Sequence, residues 1–95
     1  MRRQFIDLAV PVTVSTGVAK DISHFAPDAE FSFTGTFVGV YHFEVMTYSG
    51  VWQQVGADID TERDYLPVPN GAREARIRCS VYTSGTPVAL VAGFE

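Results

Sequence analysis

Four carboxylates at even spacing, Asp58, Asp60, Glu62 and Asp64, are the one arrangement in this chain whose residue types could do chemistry. In an extended segment that spacing sets all four on one face, where a hard cation such as calcium could be collected. The stretch lacks both the glycine of a tight calcium loop and the bidentate glutamate that closes one, so a solvated acidic face or an interface is the plainer expectation. Nucleophilic catalysis needs Ser, Thr or Cys beside a base and an orienting group. Only His24 and His42 could be that base, and no GxSxG elbow occurs. With no second cysteine and no spaced histidine pair, a zinc site is not expected, and His42 reads as a surface or interface residue. Cys79, between Ile77 and Val81, reads as a small core hydrophobe, and as the one cysteine it forms no internal disulfide. The inventory therefore predicts no enzyme, no catalytic or cofactor-binding residue and no cofactor. Trp52, Tyr48, Tyr65 and Tyr82 could stack on sugars, though a lone tryptophan beside a hairpin reads first as a core anchor.

The elements that would position these residues are strands. Ile6, Leu8, Val10, Val12 and Val14 recur with period two, with Pro11 on the other face suiting an edge or a bulge. Ser15-Thr16-Gly17 reads as a turn, and residues 18–30 as one short strand and a loop turning at Pro27-Asp28. Phe31 and Phe33 point inward from the next strand. From Thr36 to Tyr48, Phe37, Tyr41, Phe43 and Val45 share one face and Val38, Val40, His42, Glu44 and Met46 the other. A strand apolar on both faces is central, covered on one side by an opposing sheet and on the other by a loop or a partner subunit. Ser49-Gly50 turns into a return strand at Trp52 and Val55, and Leu66 to Pro69 is extended before a turn at Asn70-Gly71. Ile77, Cys79 and Val81 point inward, with Arg76, Arg78, Ser80 and Tyr82 outward. After Ser84-Gly85, the alternation of Val88, Leu90, Ala92 and Phe94 predicts the last buried face. Seven to eight short strands with no helical period predict an all-β fold, an antiparallel β-sandwich with jelly-roll or immunoglobulin-like topology.

Length and charge bound the rest. Ninety-five residues make one domain, 1–95, with residues 1–5 as a possible N-terminal arm that would carry Arg2, Arg3 and Phe5 onto a neighbour. A net charge of −4 with a single lysine, Lys20, argues against a nucleic-acid surface. No stretch approaches the ~20 apolar residues of a membrane span, and Asp7 and Pro11 interrupt any signal-peptide core. The expectation is a chain made in the cytoplasm, without nucleic-acid or membrane partners.

Several short motifs occur in a familiar order. Gly35-Thr36-Phe37-Val38-Gly39 opens an alternating strand, followed by a turn with Gly50 and Trp52, then Val68-Pro69-Asn70-Gly71, Arg76-Ile77-Arg78 and Tyr82-Thr83-Ser84-Gly85-Thr86. The order resembles small virion proteins of tailed bacteriophages, in which a GTFxGT strand leads to an SxDGxxW hairpin, an RxR strand and a YxSGT turn. The likeness covers Phe31 to Phe94, and departs at Tyr48-Ser49-Gly50-Val51-Trp52, which is shorter and lacks the aspartate. The resemblance implies a non-enzymatic β-sandwich located in the virion: a capsid decoration, or cement, protein that binds the major capsid protein and self-associates into a homo-oligomer on the particle. A glycan-binding module of a tail fibre or head spike, or another head or tail component, is the alternative. Interface candidates, besides the arm, are Val38, Val40, His42 and Met46 on the two-sided strand and Arg76, Arg78 and Tyr82 on its later neighbour.

Overall fold

A computed structural model describes residues 3–25 and 29–94, without the side chains at 3, 64 and 65. Eight strands follow one another: β1 Arg3–Leu8, β2 Lys20–Asp21, β3 Glu30–Thr34, β4 Phe37–Met46, β5 Trp52–Gln54, β6 Arg63–Pro67, β7 Glu74–Gly85 and β8 Val88–Phe94. They form two four-stranded sheets, ordered β1-β8-β3-β6 and β2-β7-β4-β5, with every pairing antiparallel. Within each sheet the outer pairs are β1 with β8 and β3 with β6, or β2 with β7 and β4 with β5. Such an order arises when one long antiparallel ribbon, its two arms being β1 to β4 and β5 to β8, is rolled up so that β8 meets β3 and β7 meets β4. That is the jelly roll, which resolves the two topologies the sequence left open.

Aromatic side chains from β3 and β4 bind the two sheets together. Phe31 stacks on Phe43 with centroids 4.0 Å apart, while Phe33 lies 5.1 Å from Tyr41 and meets Phe37 edge-on at 5.2 Å. Phe31, Phe33, Tyr41 and Phe43 are all fully buried, as the alternation in both strands predicts. Burying each stabilises the fold by roughly 1.5–3 kcal/mol, and each aromatic pair adds about 1 kcal/mol more. Burial also pushes the Tyr41 phenol up to about 12, and its hydroxyl donates to the Pro11 carbonyl at 3.2 Å.

Three strand readings need correction. In β8 the buried residues are Ala89, Val91 and Gly93, whereas Val88, Leu90, Ala92 and Phe94 lie on the outer face. Space decides this: a Cβ at residue 93 would come within 2.9 Å of the Phe25 ring, so small residues must face the aromatics. The second error is in β7, whose inward run stops at Cys79. Its pairing with β4 passes from Tyr41↔Cys79 to Val40↔Val81 and from Gly39↔Tyr82 to Val38↔Ser84, so Ser80 and Thr83 are extra residues at two bulges. The slip turns Val81 outward and packs Tyr82 against the core. Gly39 sits at this irregularity, where a Cβ would lie 2.4 Å from the Val81 carbonyl oxygen.

The third correction concerns the first strand, which begins earlier and stops at Leu8. Beyond Pro11, which cannot donate to a ladder, the chain crosses to the other sheet. Ser15 to Gly17, read as a turn, instead run beside β7: the Cys79 N–H donates to the Ser15 carbonyl at 2.8 Å, and the Gly17 N–H to the Ile77 carbonyl at 2.7 Å. Val12 and Val14 are left exposed. Residues 3–5 belong to β1, paired with residues 92–94, and do not project as an arm. Met1, Arg2 and the Pro27-Asp28 turn lie outside the described residues.

Candidate functional site

The outer face of the β2-β7-β4-β5 sheet gathers most of the interface candidates. Period two sends Val38, Val40, His42, Glu44 and Met46 of β4 outward. Register sets Arg78 beside His42, Arg76 and Gln54 beside Glu44, and Trp52 beside Met46. Trp52 is therefore on the outer face and is not the core anchor that its hairpin suggested.

Glu44 organises one half of this face. Its two carboxylate oxygens accept from Arg76 Nε at 2.8 Å and Arg78 Nε at 3.0 Å. The Arg76 guanidinium in turn lies 4.0 Å from the centroid of the Trp52 ring. Glu44 is only 8% exposed, and burial raises the pKa of its carboxyl, but the hydrogen bonds and charges of Arg78 and Arg76 outweigh burial and hold it below its ordinary 4.5. Arg76 is thus fixed from two sides.

His42 organises the centre. Its Nδ1 stands 3.0 Å from both Gln54 Oε1 and Asp58 Oδ1, two acceptors, so that nitrogen carries the proton. Nε2 is then left to accept from the Ser80 hydroxyl, 2.7 Å away. Gln54 Nε2 also donates to Asp58 Oδ1 at 2.8 Å, the main reason that the Asp58 pKa is lowered, with His42 adding to it. His42 is 6% exposed and is a buried member of this network, contrary to its expected surface position.

Ser80, His42 and Asp58 have the connectivity of a serine-hydrolase relay. The spacing of residues in the sequence predicts no such set, and the structure brings the three together. A bulge and a loop did so, neither legible in spacing. Hydrolysis further requires a recess for substrate and donors aimed at the oxyanion. Ser80 stands on the outer face of the sheet, and a cavity of about 100 Å³ lies elsewhere, lined by Ile22, Phe25, Ala29 and Val68 to Ala72. The relay ties β4 to β7 and to the loop at Asp58 across this face.

The other half is apolar. Val38 and Val81 are 56% and 49% exposed, and Val40 between them is half-buried. The face thus joins an apolar patch to a cluster of ion-paired arginines whose side chains are already held in place.

The remaining candidates fall elsewhere. Phe5 belongs to the outer face of the other sheet and Tyr82 packs inward, while Arg3 enters only through its backbone pairing in β1. Of the even-spaced acids, Asp58 and Glu62 are drawn to different partners. Asp58 is taken up by Gln54 and His42, the Glu62 carboxylate accepts the Gly35 N–H at 2.8 Å, and Ile59 between them is buried by pairing with Tyr41. Among the described residues no three His, Cys, Asp or Glu side chains converge on a point that could hold a cation; the side chain of Asp64 lies outside them.

In comparisons with family models, curated proteins and solved structures, no match to this chain was found.

Proposed function

We propose that the chain is a non-enzymatic structural protein of a bacteriophage virion, a capsid decoration protein that binds the major capsid protein through the outer face of the β2-β7-β4-β5 sheet. The observation that carries the reading of a binding face is Arg76, stacked on Trp52 and held by Glu44, on the same outer face as the exposed Val38 and Val81 and the half-buried Val40. Arginine and aromatic anchors next to an apolar patch are the usual energetic centre of a protein interface, and fixing them beforehand lowers the entropy lost on docking. The virion context comes from the motif resemblance. The jelly roll is in keeping with it, since that architecture serves viral capsid proteins, although it also serves lectins.

The glycan-binding alternative draws no support from Trp52 or Tyr48; the Tyr65 side chain lies outside the described residues. The Trp52 ring already has Arg76 against it, and the exposed Tyr48 ring has the Arg73 guanidinium 4.8 Å from its centroid. A sugar would find one face of each ring already taken by a cation. Co-sedimentation of purified chain with capsids that lack it tests the proposal: saturable binding in many copies per particle is expected. Absence of binding, together with glycan-array binding abolished by Trp52→Ala, would replace the proposal with its alternative.

A further inference from the structure

The molecule has four edge strands, β1 and β6 in one sheet and β2 and β5 in the other. Edges invite pairing with other chains, and proteins blunt them with proline, lysine or shortness. β2 is two residues long and contains Lys20, β5 is three residues long, and β6 ends in Pro67. β1 is different: six residues, Arg-Gln-Phe-Ile-Asp-Leu, without proline, lysine or glycine, and with Phe5 59% exposed.

The order of residues in β1 is self-complementary. Set two copies of the strand antiparallel with Phe5 at the centre, and residue 5 stands opposite residue 5, residue 3 opposite residue 7, and residue 4 opposite residue 6. Arg3 of each copy then faces Asp7 of the other, and the two phenylalanines meet across the axis. Opposite charges and aromatic pairs directly across an antiparallel ladder are both stabilising, and a two-fold contact of this kind closes on itself without forming a fibre.

We infer that β1 pairs with β1 of a second copy of this chain, centred on Phe5, joining two sheets into one continuous sheet of eight strands. The outer face at the seam would carry a band of Phe5 with Leu90, Ala92 and Phe94, the last three being the residues of β8 that the register places next to β1 on its solvent side. These are the outward-facing apolar residues that the core did not absorb. The inference concerns the sheet opposite the proposed capsid face and does not rest on that proposal.

The test uses the full chain in solution. Sedimentation equilibrium should show a monomer–dimer equilibrium that Arg3→Asp weakens about tenfold by opposing like charges at both ends of the seam. The double variant Arg3→Asp/Asp7→Arg, which swaps the charges, should restore it. Phe5→Cys should yield a disulfide-linked dimer on oxidation, since facing residues in such a ladder lie within disulfide range, whereas Asp7→Cys should not, since its two copies lie four positions apart in register. All three positions changed are in an edge strand, so circular dichroism should be unaltered. A chain that stays monomeric, a dimer indifferent to Arg3→Asp, or a Phe5→Cys variant that crosslinks no better than Asp7→Cys would overturn the inference.

Discussion

Glu44 holds two arginines at once, and its removal should show both in stability and in pH dependence. Glu44→Gln keeps the shape but loses the charge, and is expected to lower unfolding stability by about 1–2 kcal/mol in urea titration. The sign of the pH effect follows from its lowered pKa. A carboxyl with a depressed folded-state value contributes stability above its ordinary 4.5 and loses that contribution as pH falls through the lowered value. The native protein should therefore lose stability on acidification below about pH 4.5, and Glu44→Gln should lose less over the same interval. A variant whose acid limb parallels that of the native chain would contradict this. Ser80 makes a second claim at this scale. On the non-enzymatic reading proposed above, Ser80 should resist labelling by a fluorophosphonate at neutral pH; labelling that disappears in His42→Ala would show that the relay activates it and would undo that reading.

Among the elements, β8 and the β4–β7 pair decide how far periodicity can be trusted. Val88 to Phe94 is apolar at both parities, so alternation alone could not choose the buried set, and the larger residues were assigned inward. The core already holds Phe31, Phe33 and Phe43, and what it accepts from β8 is Ala89, Val91 and Gly93. Val91→Ser should accordingly cost about 2–3 kcal/mol, from lost transfer energy and a buried hydroxyl. Leu90→Ser should cost well under half of that, and the reverse order in thermal unfolding would restore the original assignment. β3 and the middle of β4, Tyr41 to Glu44, are legible because one parity is aromatic and the other polar. Bulges leave no mark of that kind, which is why Tyr82 and Val81 were exchanged and Ser80 was not connected to His42. Gly39 is their one trace in the sequence. Gly39→Ala drives a methyl against the Val81 carbonyl and should destabilise by ~2 kcal/mol, against a few tenths for an open strand position.

For the whole molecule, the β-sandwich was legible and the roll was not. Strand count, turn residues and the two-sided β4 follow from local pattern, whereas the order β1-β8-β3-β6 depends on which distant strands meet. The candidate face was legible in part. Outward Arg76, Arg78, His42, Val38 and Val40 follow from alternation, but their arrangement around Glu44, Trp52 and Asp58 depends on register between strands far apart in the chain. A jelly roll with one face of anchored, ion-paired arginines and apolar side chains is equipped to bind a protein surface in a fixed orientation, and that surface is proposed to be a capsid's on the strength of the motif resemblance. The most direct test is the binding isotherm, by co-sedimentation with decoration-free capsids, of the native chain beside Val38→Asp/Val81→Asp. Both valines are exposed, so the fold should survive the change. Saturable binding by the native chain, reduced by about a hundredfold or more in the variant, is the predicted result. Native and variant isotherms that coincide, or no binding by either, would contradict the assignment of this face and the role built on it.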